Sequence, residues 1–201
     1  MNISYFNELK NENIFSNNTI EDAKEFIVGS RKLYTDSVDD LIEIFSLANY
    51  LNQQELKDAV IDRMNYVSRY ISKYDWNTIY SFYKENGLSN SFVRQYINNN
   101  IETIYNTESF LKLDSDSVFD ILDNDDIVVT SENNILKIVL HWLDNRKVIN
   151  IDDFTKVMFA VRFNFITRGE LNDAVERIAP EYRRHLLDMY YIRFSRPKRS
   201  S

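Results

Sequence analysis

FLKLDSDSVFDILDNDDIVVTSENNILKIVLHWLDN, residues 110–145, decides the fold. It divides into a short apolar run, a short helix, an acidic turn, an extended piece over residues 127–130 and an amphipathic helix. Asp114 is placed to cap the first helix ahead of Val118, Phe119, Ile121 and Leu122, because a short side-chain oxygen accepts from the free amides of an opening turn. Ser131 is placed to cap the second helix, where Ile135, Leu136, Val139, Leu140 and Leu143 recur at helical spacing. Trp142 widens that stripe, so the helix needs a broad surface to dock against. Nothing in the stretch is arranged for chemistry. It reads as a packing unit.

The same periodicity extends in both directions. On the N-terminal side, Thr19 followed by Asp22 reads as a cap for Ile20, Ala23, Phe26 and Ile27, with Gly29 ending that helix. Ser37 caps the next, with Asp39 and Asp40 in its first turn, where negative charge suits the helix dipole. Its inward stripe is Leu41, Ile44, Phe45, Ala48 and Leu51. After a break at Asn52, a second stripe follows in Leu56, Val60, Met64, Val67 and Ile71. Asp75 is expected to cap a helix bearing Trp76, Ile79, Tyr80 and Phe82 that stops at Gly87. The helix after Ser89 turns Phe92, Val93, Tyr96, Ile97, Ile101 and Ile104 inward. C-terminal to the central stretch, Phe154, Val157, Met158 and Val161 form a helix after Asp152. Thr167 with Glu170 makes a capping box, and Pro180 opens a last helix through Leu186, Leu187, Met189 and Tyr190. The expected fold is all-α: successive antiparallel helix pairs joined by short loops.

Composition agrees with this reading and narrows the function. Only 3 Gly and 2 Pro stand among 201 residues, too few for the turns of an all-β fold. A hydrophobic content of 44% supports a folded core. The absence of cysteine removes disulfides, thiolate zinc sites and cysteine nucleophiles together. A formal net charge of −7 opposes nonspecific attraction to nucleic acid or an anionic membrane. No run reaches the roughly 20 apolar residues that span a bilayer, and the N-terminus lacks the basic start and apolar core of a signal peptide. His141 and His185 are isolated, without the partners a catalytic or metal site needs. Asp123, Asp125 and Asp126 lack the glycine turn and closing glutamate of a calcium loop, and read as a solvated turn. No catalytic, cofactor-binding or metal-binding residue is therefore assigned.

Residues 110–145 resemble the central signature of the BACK domain, the helical module that follows the BTB domain in kelch-like proteins. The matching residues are Phe110, Leu111, Leu113, Leu122, Asp125, Asp126, Ser131, Glu132, Val139, Trp142 and Leu143, and Val161, Arg162 and Phe163 match the family's val-arg-phe run. Residues 26–64 resemble the C-terminal half of a BTB domain, with Tyr34 and Thr35 at its tyr-thr turn and Tyr5 and Phe6 at its tyr-phe pair. The tail FSRPKRSS resembles the segment from which kelch repeats begin. The resemblance implies a partial BTB-like segment over 1–72, a BACK domain over 73–190 and a basic tail over 191–201. Short kelch-like proteins of poxviruses are the members it resembles most.

Members of that family act as adaptors that hold cullin-3 through the BTB domain and first BACK helices. The resemblance therefore implies a noncatalytic viral protein-interaction module, an adaptor or decoy for cullin-3-type ubiquitin-ligase machinery in the host cytoplasm or nucleus. The alternative is a ubiquitin-independent scaffold that sequesters a host defence protein. The family's hydrophobic-x-glutamate motif is found at Phe6–Asn7–Glu8, earlier than the aligned position, where Glu12 follows Lys10. Candidate partner-binding residues are Phe6, Glu8, Tyr34, Tyr66, Tyr70, Tyr74, Trp76 and Tyr80, the aromatic ones having helix-pair packing as their competing role. Lacking the helix that builds the usual BTB dimer, the chain is expected to be a monomer, or a dimer through a nonstandard surface.

Overall fold

A computed structural model describes residues 14–71, 76–146 and 148–191. Among these residues there are eleven α-helices and no strand, the all-helical architecture that the periodicity predicts. Backbone packing divides the chain into two compact units, one through Val93 and one from Arg94.

The first unit contains α1 (Asn17–Glu25), α2 (Val38–Tyr50), α3 (Gln54–Val67) and α4 (Trp76–Glu85). α2 and α3 are joined by three residues, of which Asn52 takes a left-handed φ of 52°, and so return against each other. Leu41, Ile44, Leu47 and Ala48 of α2 and Leu56, Val60 and Met64 of α3 are fully buried. α1 packs on α2 and is pinned by Glu43, whose carboxylate accepts from Ser16 N–H at 2.5 Å and from Thr19 Oγ1 at 2.6 Å. α4 closes the unit, with Phe82 edge-on to Phe45 at 5.1 Å. The Tyr83 hydroxyl donates to Asn65 Oδ1 at 2.9 Å.

The second unit follows α5 (Ser91–Ile104), whose last three turns belong to it. It contains α6 (Glu108–Leu111), α7 (Ser115–Leu122), α8 (Glu132–Asp144), α9 (Ile151–Phe159), α10 (Arg168–Arg177) and α11 (Pro180–Tyr191). α9 is the hub, packing against α7, α8 and α11 through Phe154, Val157 and Met158, all nearly inaccessible. The Phe154 ring stacks on Tyr182 of α11, with centroids 4.6 Å apart. The extended piece between α7 and α8 lies along α5: Val128 N–H donates to the Asn98 carbonyl at 2.9 Å, and Glu102 accepts from Thr130 and Asn134. It pairs with a helix and its buried anchor is Ile127.

Several caps stand where the spacing predicts them. Asp114 accepts from Ser117 N–H at 2.6 Å, Ser37 accepts from Asp40 N–H at 3.3 Å, and Thr167 and Glu170 form a reciprocal capping box. Others differ. α1 is capped by Ser16, so Thr19 lies inside the helix, buried, with its hydroxyl on Glu43. Gly29 does not end that helix; the chain passes through a wide π-type turn over Phe26–Ser30 and reverses at Arg31, with φ 52°. Ser131 occupies the N-cap position of α8 without using its side chain. α5 follows Ser89 as expected and is capped by Asn90, which accepts from Val93 N–H, whereas α9 is capped by Asn150 and so begins at Ile151, ahead of Asp152. Asp75, Tyr5 and residues 192–201 of the basic tail lie outside the described residues.

Candidate interaction surface

The solvent side of α3 begins acidic and ends aromatic. Gln54, Asp58, Asp62 and Tyr66 recur every four residues and are exposed, and Tyr70 extends the row through the short turn Ser68–Tyr70. The rings of Tyr66 and Tyr70 meet edge-on with centroids 5.6 Å apart. Tyr66 is 43% exposed and Tyr70 72% exposed, unusual values for adjacent aromatic rings. Their hydrogen bond, ahead of every other influence, raises the Tyr66 phenol above its ordinary value. Near neutral pH the Tyr66 phenol therefore keeps its proton.

Arginine stiffens this face from below. Arg63 lies over the Tyr66 ring at 4.9 Å, donates through Nε to the Thr35 carbonyl at 3.1 Å and pairs with Asp36 at 2.6 Å. These bonds hold the loop that carries Tyr34, which is 64% exposed, against α3. Arg69 lies over Phe92 at 5.4 Å. Exposed tyrosines braced by arginine match the residue types that concentrate binding energy at protein interfaces, since they bring large apolar area at small entropic loss.

The structure thus brings Tyr34, Tyr66 and Tyr70 into an exposed setting on the first unit. It does not do so for Trp76 and Tyr80. Trp76 is fully buried and Tyr80 nearly so, their rings 6.4 Å apart on the inward stripe of α4, which makes them core residues. Phe6, Glu8 and Tyr74 lie outside the described residues. Phe92, read as inward from the sequence, is 39% exposed because Val93, Ile97, Ile101 and Ile104 already fill the buried stripe of α5. Its place one position off that stripe was the available signal; nothing in the sequence marked Arg63 or Arg69.

The second unit holds a cavity of about 330 Å3 with an apolar floor including Leu143, Phe154 and Ile178. At its rim Arg177 is already paired with Asp144. His141 packs edge-on against Tyr105, and Asp125 of the acidic turn is engaged by Arg162. Among the described residues no cluster of three or more His, Cys, Asp or Glu is arranged to hold a metal ion, and no helix is long and apolar enough to cross a membrane.

Residues 78–176 match the profile of BACK, BTB And C-terminal Kelch. Over 198 residues the chain is 68% identical to Protein OPG030 of Vaccinia virus (strain Copenhagen), covering 98% of this chain and 97% of that protein. The chain belongs to the poxviral OPG030 family. Protein OPG030 of Monkeypox virus is 69% identical over 95% of this chain and 92% of its own length. A more distant likeness, 34% over 80 residues, links this OPG030-family chain to Kelch-like protein 25 of Xenopus tropicalis, of which it covers only 13%. The BACK match opens inside α4 and closes inside α10, so it contains the whole of residues 110–145. Tyr34, Tyr66 and Tyr70 precede it.

Proposed function

We propose that this OPG030-family chain is a noncatalytic protein-interaction module that engages a host protein through the aromatic face of α3. The BACK match and the Kelch-like likeness support an adaptor role. The observation that carries the site is the exposed Tyr66–Tyr70 pair with Arg63 beneath it, a rigid apolar patch lying next to a row of acids. In the fuller form of the proposal, the partner is part of cullin-3-type ubiquitin-ligase machinery, and the chain acts as an adaptor or decoy in the host cytoplasm or nucleus, as a monomer.

Affinity purification of the tagged chain from infected cells tests both levels. The expected result is recovery of a ligase component by the native chain and its loss in a Tyr66→Ala/Tyr70→Ala variant of equal abundance. Recovery of neither cullin-3 nor any other ligase component overturns the ubiquitin-ligase reading. Recovery of one host protein that persists after cullin-3 depletion, at unchanged abundance, selects the ubiquitin-independent scaffold instead.

A further inference from the structure

α4 is closed by the residues that follow Glu85, namely Asn86, Gly87 and Leu88. Gly87 takes a left-handed φ of 65°, and a Cβ built there meets nothing within 4 Å. Its N–H donates to the Lys84 carbonyl at 3.1 Å and Leu88 N–H donates to the Tyr83 carbonyl at 2.8 Å, the two bonds that close a helix on a glycine. The Asn86 carboxamide folds back along the helix, its Nδ2 donating to the Phe82 carbonyl at 2.8 Å. Asn86 and Gly87 are both exposed.

An asparagine followed by glycine is the pair in which the main chain attacks a side-chain amide most readily. The nitrogen of the following residue bonds to Cγ, ammonia leaves, and a five-membered succinimide results. Water then opens that ring at either carbonyl. One opening gives aspartate; the other gives isoaspartate, in which the main chain runs through the side-chain carbon. Glycine favours ring closure because it carries no Cβ to crowd the nitrogen or restrict the backbone. Asn86–Gly87 is the one Asn–Gly pair in the sequence, since Gly29 follows Val28 and Gly169 follows Arg168. We propose that Asn86 is a site of spontaneous deamidation whose rate is set by the closing turn of α4. While the turn is formed, the nucleophile and the leaving group are both held, Gly87 N–H by Lys84 and the Asn86 amide nitrogen by Phe82. Reaction waits for local opening of the helix end.

The product does not fit the turn that made it. A carboxylate at position 86 has no N–H to give to Phe82. It also sets a second negative charge beside Glu85, at the helix end where the last carbonyls already carry partial negative charge. Isoaspartate lengthens the main chain between Tyr83 and Leu88 by one carbon, so their bond no longer closes as it does now. The last turns of α4 carry Phe82 and Tyr83, which reach Phe45 and Asn65, so conversion loosens the first unit. No residue of the aromatic face of α3 takes part, and the inference stands or falls apart from it.

Ageing the full purified chain at neutral pH and body temperature tests the proposal, with peptide mapping by mass spectrometry and isoaspartate counted by isoaspartyl methyltransferase. Conversion should appear at Asn86 ahead of every other asparagine. Unfolding the chain in urea should accelerate it about tenfold to a hundredfold, the effect of releasing the bonds that hold the turn. Asn86→Gln, which would have to close a six-membered ring, should stay unconverted while keeping the helix content of the native chain by circular dichroism. Gly87→Ala should slow conversion in the unfolded chain, where the strain of its native φ plays no part. Aged chain should unfold at lower urea than fresh chain, and aged Asn86→Gln should not. Faster conversion at another asparagine, equal rates in folded and unfolded chain, or a folded chain still unconverted after about a hundred unfolded half-lives overturns the proposal.

Discussion

The indole N–H of Trp142 donates to the backbone carbonyl of Leu113 at 3.1 Å, deep in the second unit. The same carbonyl accepts from the Arg146 guanidinium, which lies 4.2 Å over the Trp142 ring. Leu113 sits between α6 and α7 and Trp142 near the end of α8, so one carbonyl ties both halves of residues 110–145 together. Burial lowers the pKa of Arg146, while Asp114 and Asp153 oppose that shift.

Trp142→Phe keeps most of the apolar volume and removes the N–H. It should lower unfolding free energy by about 1 kcal/mol from the bond, plus a smaller contribution from the cavity. Trp142→Ala should lower it by about 3–5 kcal/mol. Urea denaturation followed by circular dichroism measures both, and equal losses in the two variants would contradict a role for packing.

Arg162 is an expensive residue to bury: its side chain is 2% exposed, and two of its guanidinium nitrogens, Nε and Nη1, donate to no acceptor, while the third pairs with Asp125. Removing Asp125 leaves that charge uncompensated, so Asp125→Ala should destabilise by about 1–3 kcal/mol. The figure is held down by the exposure of Asp125, which is 70%. Arg162→Met in that background should restore part of the loss, because a linear apolar side chain carries no charge to desolvate. A double-mutant cycle in urea checks the sign; additivity of the two losses would refute the pairing.

Acid should loosen both units through Glu43 and Glu102. Burial raises each carboxyl, but the hydrogen bonds to Glu43 from Thr19 and Ser16, and to Glu102 from Thr130 and Asn134, outweigh it and lower both from 4.5. A folded-state pKa below the unfolded one means stability that is present above the unfolded value and lost as pH falls through the folded value. Stability should therefore decline below about pH 4.5, and Glu43→Gln and Glu102→Gln should each flatten that decline. Asp22 acts in the opposite sense, since burial and then Asp40 and Glu25 raise its pKa. Thermal unfolding from pH 3 to 7 reads the slopes; unchanged slopes in both variants would exclude these carboxylates.

Ser16→Ala removes the cap acceptor of α1 and should lower stability by about 1 kcal/mol. Thr19→Val should lower it by a similar amount by taking a buried donor from Glu43. Were Thr19 the cap, as its spacing from Asp22 predicts, Ser16→Ala would be near neutral, so chemical denaturation of the two variants distinguishes the arrangements.

Tyr66→Ala/Tyr70→Ala should leave the unfolding midpoint nearly unchanged, because both rings are exposed and touch each other and Arg63 more than the core. A fall of the midpoint comparable with that of a core variant would reassign the pair to a structural role.

What the residues determined by themselves was the helical frame. Caps such as Asp114, Ser37 and Thr167 act over three or four residues, and the stripes of α2, α3 and α8 follow from the helical period, so both are written in local order. Residues 110–145 carry enough ordered caps and apolar positions to specify their own packing and to mark the family. The surface was beyond reach for a physical reason. Tyr66, Tyr70, Trp76 and Tyr80 look alike in sequence, and which two are buried depends on where α2 and α4 lie, not on any neighbour in the chain. The same holds for Asn77, which reads as an ordinary polar residue in the first turn of α4 until the fold buries its side-chain oxygen without a donor. Burial and unmet hydrogen bonds arise from segments distant along the chain, and only the tertiary structure decides them.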